Sequence, residues 1–101
     1  MPLLPKALPS NFNFQEHLPD WQLGREAKTL KRDFMFRDFQ SAFAFMTLSE
    51  RYAEEINHHP DWSNSWSKVS VSLSTHSVQM LTELDLALAL AMNQFAQQVQ
   101  S

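Results

Sequence analysis

Cysteine is absent from this chain of 101 residues, so disulfides, a thiol nucleophile and any cysteine-ligated zinc or iron–sulfur centre are excluded. Glycine occurs once, at Gly24, and proline five times, which excludes collagen-like and flexible-linker sequences. Basic side chains are few: Lys and Arg number 8 against 11 Asp and Glu, for a net charge of −3, and only Lys28, Lys31 and Arg32 are grouped. A nucleic-acid surface is built on a basic stripe, and none is visible. Long apolar runs are also missing. The longest, Leu86 to Met92, is far below the ~18–20 residues of a membrane span, and no run near the start suits a signal peptide. These absences point to a soluble, cytoplasmic protein that binds neither nucleic acid nor membrane.

What is present is a 44% hydrophobic fraction with 12% aromatics, enough for one small domain around one core. A domain this size hides only ~60–68% of its unfolded surface, which leaves apolar faces for a partner subunit. Residues 1–20 contain Pro2, Pro5, Pro9 and Pro19 and read as an irregular arm with one helical turn at Phe14 to His17; residues 21–101 carry the domain. Short strands are expected at Trp21 to Leu23 and at Thr29 to Phe36, either side of a turn at Gly24. Asp38 is a good N-cap for a helix of about five turns ending near Asn57, because Pro60 disfavours helical geometry in the residue before it. Phe39, Ala42, Phe43, Met46, Ala53 and Ile56 mark its stripe, widened by Phe45, Leu48 and Tyr52.

Trp66 to Thr75 alternates. Val69, Val71, Leu73 and Thr75 fall on one face and Lys68, Ser70, Ser72 and Ser74 on the other, as in a half-buried antiparallel strand. Thr82 opens the last helix, with Leu84, Leu88, Ala91, Met92, Phe95 and Val99 as its inner stripe. Leu86, Ala89 and Leu90 make its first half apolar nearly all round, which predicts burial on two sides and self-association. The element order lacks the regular alternation of a parallel α/β fold. The expected class is α+β: a single small domain with an antiparallel sheet of about four strands and two or three helices packed on one face.

Three of the four histidines lie between positions 58 and 76. His58 and His59 follow the long helix, whose C-terminus carries partial negative charge and favours a cationic ring, and His76 closes the alternating strand. Imidazole both gives and takes protons near neutrality, as general acid–base catalysis requires. Trp62 and Trp66 offer a flat apolar wall to a planar ligand. Each piece also has a plainer reading. A His–His pair before Pro is a helix end with exposed rings, His76 shares parity with the solvated serine face, and Glu54 is a helix-surface charge. Asp85 stands three residues after Thr82, the spacing of a capping box with Asp in place of Glu, so capping alone accounts for it.

Taken together, Glu54, His58-His59-Pro60-Asp61-Trp62, Trp66, Ser74-Thr75-His76, Leu81-Thr82 and Asp85 closely resemble the signature of the pterin-4a-carbinolamine dehydratases. The family pattern is an acidic residue, HHPxW, an aromatic, a strand ending in Thr-His, then Thr or Ser with an Asp opening the last helix. Phe36 to Met46 is similar to the family's F-x-D-F-x-x-A-F-x-F-M segment, and Trp21 matches a Trp before its second strand. The likeness spans about Trp21 to Phe95. Three departures stand out: Met80 where the family usually has Gly, Trp66 for the more frequent Tyr, and a Pro-rich start where the family has a helix.

The resemblance implies dehydration of 4a-hydroxytetrahydropterin to quinonoid dihydropterin, with no metal or redox cofactor, and a link to aromatic amino-acid hydroxylases whose cofactor it renews. It implies His58 and His76 as acid and base around C4a and N5, and His59 as the residue that binds and orients the pterin. Glu54, Asp61, Trp62, Thr75 and Asp85 are its supporting or substrate-binding candidates. It implies a homodimer or a tetramer of dimers. Two alternatives stay open: a non-catalytic pterin-binding or coactivator-like interaction module of the same fold, and a zinc site built from His58, His59, His76 and a carboxylate.

Overall fold

The structure is a computed structural model, described here for residues 5–100. Its elements follow one another as α1 (Phe14–His17), β1 (Gln22–Leu23), a 3₁₀ turn (Arg25–Ala27), β2 (Leu30–Met35), α2 (Phe39–Ile56), β3 (Asp61–Ser65), β4 (Lys68–Leu73) and α3 (Glu83–Gln100). The strands form one antiparallel sheet in the order β1-β2-β4-β3. The two long helices pack on one another and, with the inner face of the sheet, close a single core. This is the α+β class expected from the sequence. The expected arm begins with residues 1–4, which lie outside the described residues.

The register explains the core. Leu30, Arg32 and Phe34 of β2 stand opposite Leu73, Val71 and Val69 of β4. Side chains alternate across a strand, so these fall on one face, and all but Arg32 are buried. Phe34 meets Trp21 edge-on at 5.7 Å and Phe45 of α2 at 4.6 Å, which seats the helix on the sheet. Asn93 of α3 accepts hydrogen bonds from Trp21 Nε1 (2.8 Å) and Arg32 (2.7 Å), tying the second helix to the sheet edge.

Three local readings are corrected. A strand the sequence reading lacks, β3, pairs with β4, and Trp66 belongs to the turn between them rather than to the strand. Trp66 has φ 53° and is 70% exposed. Asn64 holds that turn by donating to the carbonyls of Trp66 (3.0 Å) and Lys68 (2.9 Å). The buried stripe of α2 is Ser41, Ala42, Phe45, Ser49 and Ala53, while Phe39 and Phe43 stack on each other in solvent. On α3 the buried stripe is Asp85, Leu88, Ala89, Met92 and Ala96, with Leu84, Ala91, Phe95 and Val99 at its margins. Each buried stripe mixes small residues with a few large ones, Phe45 on α2 and Leu88 and Met92 on α3.

Candidate active site

The C-terminus of α2 positions the first histidine through its backbone. Asn57 takes the left-handed conformation (φ 51°, ψ 46°), its N–H donates to the Glu54 carbonyl (3.2 Å), and the His58 N–H donates to the Ala53 carbonyl (3.0 Å). These two bonds are the Schellman arrangement, with Asn as the residue that tolerates positive φ and a proline shortly after. His58 is therefore set by the helix end itself. The end of β4 and the start of α3 meet at the same place: Thr75 and Met80 form an antiparallel bridge that returns the chain to Leu81 and Thr82.

Asp85, on the first turn of α3, is fully buried and receives three donors. Its Oδ1 lies 2.7 Å from His58 Nε2; its Oδ2 accepts from the Thr75 hydroxyl (2.7 Å) and the Thr82 N–H (2.9 Å). The chemistry of the partners orders the protons. A carboxylate oxygen only accepts, so His58 Nε2 carries a hydrogen and, in the neutral ring, Nδ1 holds the lone pair. Thr75 spends its one hydroxyl proton on Asp85 and must accept from Thr82 Oγ1 at 2.8 Å. Thr82 Oγ1 in turn accepts from the Leu84 N–H at 3.2 Å. The capping spacing read from the sequence is real, but it accounts for only one oxygen of Asp85; the other holds a histidine.

The remaining imidazoles are exposed. His59 Nε2 lies 2.5 Å from Glu54 Oε2, both partners on the surface. His76 Nε2 lies 3.4 Å from Asp61 Oδ2 and 3.4 Å from Ser74 Oγ, at the long limit of a hydrogen bond. His58, His59 and His76 nevertheless border one open cleft of about 310 Å³, together with Ser74, Pro5 and Leu84. The arrangement places a fixed imidazole and two solvent-accessible ones around one open cleft, and imidazoles so placed are able to exchange protons with a bound molecule. Among the described residues, no group of three or more His, Asp or Glu side chains is arranged to hold a metal ion.

A sequence model of the family described as Pterin 4 alpha carbinolamine dehydratase matches residues 6–95. The chain belongs to that family. It is 49% identical over 78 residues to a Mesorhizobium japonicum protein, covering 77% of this chain and 80% of the relative. It is 48% identical over 81 residues to a Brucella ovis protein, covering 78% and 81% respectively. Both carry the name "Putative pterin-4-alpha-carbinolamine dehydratase". Among solved structures it is similar to a transcriptional coactivator/pterin dehydratase from Brucella melitensis, with TM-score 0.80 and 38% identity over 90% of this chain and 99% of that one. A pterin dehydratase-like RuBisCO assembly factor of the α-carboxysome shares the fold, with TM-score 0.67 and 21% identity over 79% of this chain and 93% of that one.

The motif positions of this pterin-4a-carbinolamine dehydratase family member distribute unevenly around the cleft. His58, His59, His76 and Thr75 line it; Asp85 and Glu54 stand behind His58 and His59, and Asp61 beside His76. Trp62 does not line it. It is half-buried against the core, and Trp66 projects from the β3–β4 turn, so neither is a wall of the cleft. Met80 is also outside the cleft lining, and the left-handed residue of its loop is Gln79 (φ 53°). Several neighbours were not assigned to the site from the sequence: Pro5, Asn57, Ser74, Ser77 and Leu84 along the cleft, and Thr82 in its hydroxyl role. The Thr-x-x-Asp spacing was the signal available for Thr82, while Pro5 carries none, because its approach depends on tertiary pairing.

Proposed function

We propose that this chain dehydrates a 4a-hydroxytetrahydropterin, renewing the tetrahydropterin cofactor of an aromatic amino-acid hydroxylase in the cytoplasm. The observation that carries the reading is the convergence of the adjacent pair His58 and His59 with His76, remote from them along the chain, on one cleft in a member of this family. In the reaction the C4a–O bond breaks with its electron pair, and the departing oxygen takes a proton and leaves as water. N5 gives up its proton, and the freed pair forms the C4a=N5 bond of the quinonoid product. The elimination is redox-neutral; it needs one proton donor and one acceptor. His58 and His76 are the acid and base, and His59 binds and orients the ring. Asp85, held by Thr75, orients His58; Glu54 engages His59, and Asp61 lies beside His76.

General acid–base assistance is worth ~10²–10⁴-fold. His58→Ala and His76→Ala are each expected to lower kcat for a synthetic 4a-carbinolamine by roughly that factor; unchanged turnover in both rejects the assignment. The reading includes a homodimer or tetramer, supported by the exposed Phe39, Phe43 and Leu90 on the two long helices. A single 11.7 kDa species in sedimentation at micromolar concentration would reject that part. The same exposed apolar side chains favour, as a second reading, an interaction module without catalysis, for which pterin binding without turnover is the distinguishing result.

A further inference from the structure

We infer that Pro5, together with Leu84, supplies the apolar surface on which the flat ring of the substrate rests, so that the N-terminal strap is a working part of the cleft. The inference builds on the pterin reading and adds a contact residue to it. Sites for small planar ligands combine apolar contact with a few placed polar groups. Here the polar groups are plentiful, yet the two tryptophans expected to form a wall stand elsewhere. Apart from the imidazoles, the cleft is lined by short polar side chains and by these two aliphatic ones.

Pro5 is brought to the cleft by a segment that is tied down. The Lys6 carbonyl accepts the Glu83 N–H at 2.9 Å, and the Leu8 N–H donates to the Leu81 carbonyl at 3.3 Å. Ala7 and Thr82 form an antiparallel bridge between these bonds, and Leu8 packs against the core. The strap therefore grips the segment whose Thr82 hydroxyl feeds the Thr75–Asp85–His58 chain. One piece of backbone serves two neighbours: it presents an apolar ring to the ligand, and it braces the start of α3.

The test uses full-length Pro5→Gly and Pro5→Val proteins with matched thermal melts. Two readouts are taken: steady-state dehydration, and binding of an oxidised, unreactive pterin followed by its fluorescence. Pro5→Gly is expected to raise KM and the pterin Kd roughly five- to tenfold, the weight of one or two lost methylene contacts, with kcat within about twofold. Pro5→Val, which restores aliphatic bulk, is expected to return both constants to wild-type values. An unchanged Kd in Pro5→Gly overturns the inference, as does a fall in kcat with KM unmoved, which would mark the strap as bracing alone. If the wild type binds the pterin without turning over the carbinolamine, the dehydratase reading fails while the Kd series still decides the role of Pro5. A wild type that binds no pterin overturns both.

Discussion

Replacing Asp85 by Asn changes one atom in the most constrained part of the cleft, and its consequence can be worked out from the donors. The Thr82 N–H is a backbone group fixed by the first turn of α3 and needs an acceptor, as does the Thr75 hydroxyl. The amide oxygen must therefore stay on that side, and the NH₂ turns toward His58, where Oδ1 now lies 2.7 Å from Nε2. Two donors cannot face each other, so the neutral His58 ring is expected to change tautomer. Nε2 becomes the acceptor and the proton moves to Nδ1. The fold survives, because the packing volume is unchanged and two of the three original bonds persist. The loss is one charge-assisted bond exchanged for a neutral one, about 1–3 kcal/mol, and at about 4–8 °C of melting temperature per kcal/mol the midpoint falls visibly.

The two consequences have separate assays. ¹⁵N chemical shifts of the imidazole report the tautomer directly and require no substrate. Carbinolamine dehydration reports catalysis, where a correctly placed ring with its proton on the wrong nitrogen is expected to cost ~10²–10⁴-fold in kcat. A His58 spectrum identical to wild type in Asp85→Asn would refute the proton ordering derived from the hydrogen-bond chain. A switched tautomer with full activity would refute the placement of His58 in proton transfer.

Two further outcomes follow from polar groups outside the cleft. The Ser49 hydroxyl is fully buried in α2 with no hydrogen-bond partner among the described residues, so Ser49→Ala is expected to raise unfolding stability by about 1 kcal/mol in urea titration, and a loss of stability would show that the hydroxyl is satisfied. The Asp38 carboxyl is held below its ordinary pKa by the Ser41 N–H that it caps at 2.8 Å, so its folded value lies below its unfolded one. Its contribution is present above the unfolded value and is lost as pH falls through the folded one; Asp38→Asn, which keeps a capping oxygen, is expected to flatten that acid limb, and an unchanged acid limb would refute it.

The helices and the inner strand can be read directly from the chain because their signals are local. Asp38 caps, Asn57 and Pro60 stop, and Val69, Val71 and Leu73 alternate against serine; each is a statement about neighbours in sequence. Strand β3 has no such signal. Asp-Trp-Ser-Asn-Ser offers one apolar side chain, since an edge strand here buries only Trp62 against the core and leaves its other positions to water. Hydropathy also cannot tell Phe45 from Phe43. What separates them is the sheet: Phe45 packs against Phe34 and Phe36 at 4.6 and 5.0 Å, while Phe43 stays in solvent. In the cleft, residue types and spacing mark the histidines, but partnership is tertiary: Asp85 serves as cap and as histidine holder because both oxygens are used, and a spacing rule reveals only the first.

Each of the three histidines has its own carboxylate, and the pairs differ in what they can do. Glu54–His59 and Asp61–His76 are exposed, and ion pairs of that kind are worth ~0–1 kcal/mol because water competes for both partners. They bias their rings without fixing them, and a ligand in the cleft must supply the remaining order. Asp85–His58 is buried, anchored on one side by the Schellman turn and on the other by two threonines and a backbone N–H. Its orientation is settled when the protein folds, before any ligand arrives. In the proposed elimination this gives the site one preset proton position and two that close around the substrate. It is also why a one-atom change at Asp85 is expected to have greater leverage on the proposed chemistry than the loss of either surface carboxylate.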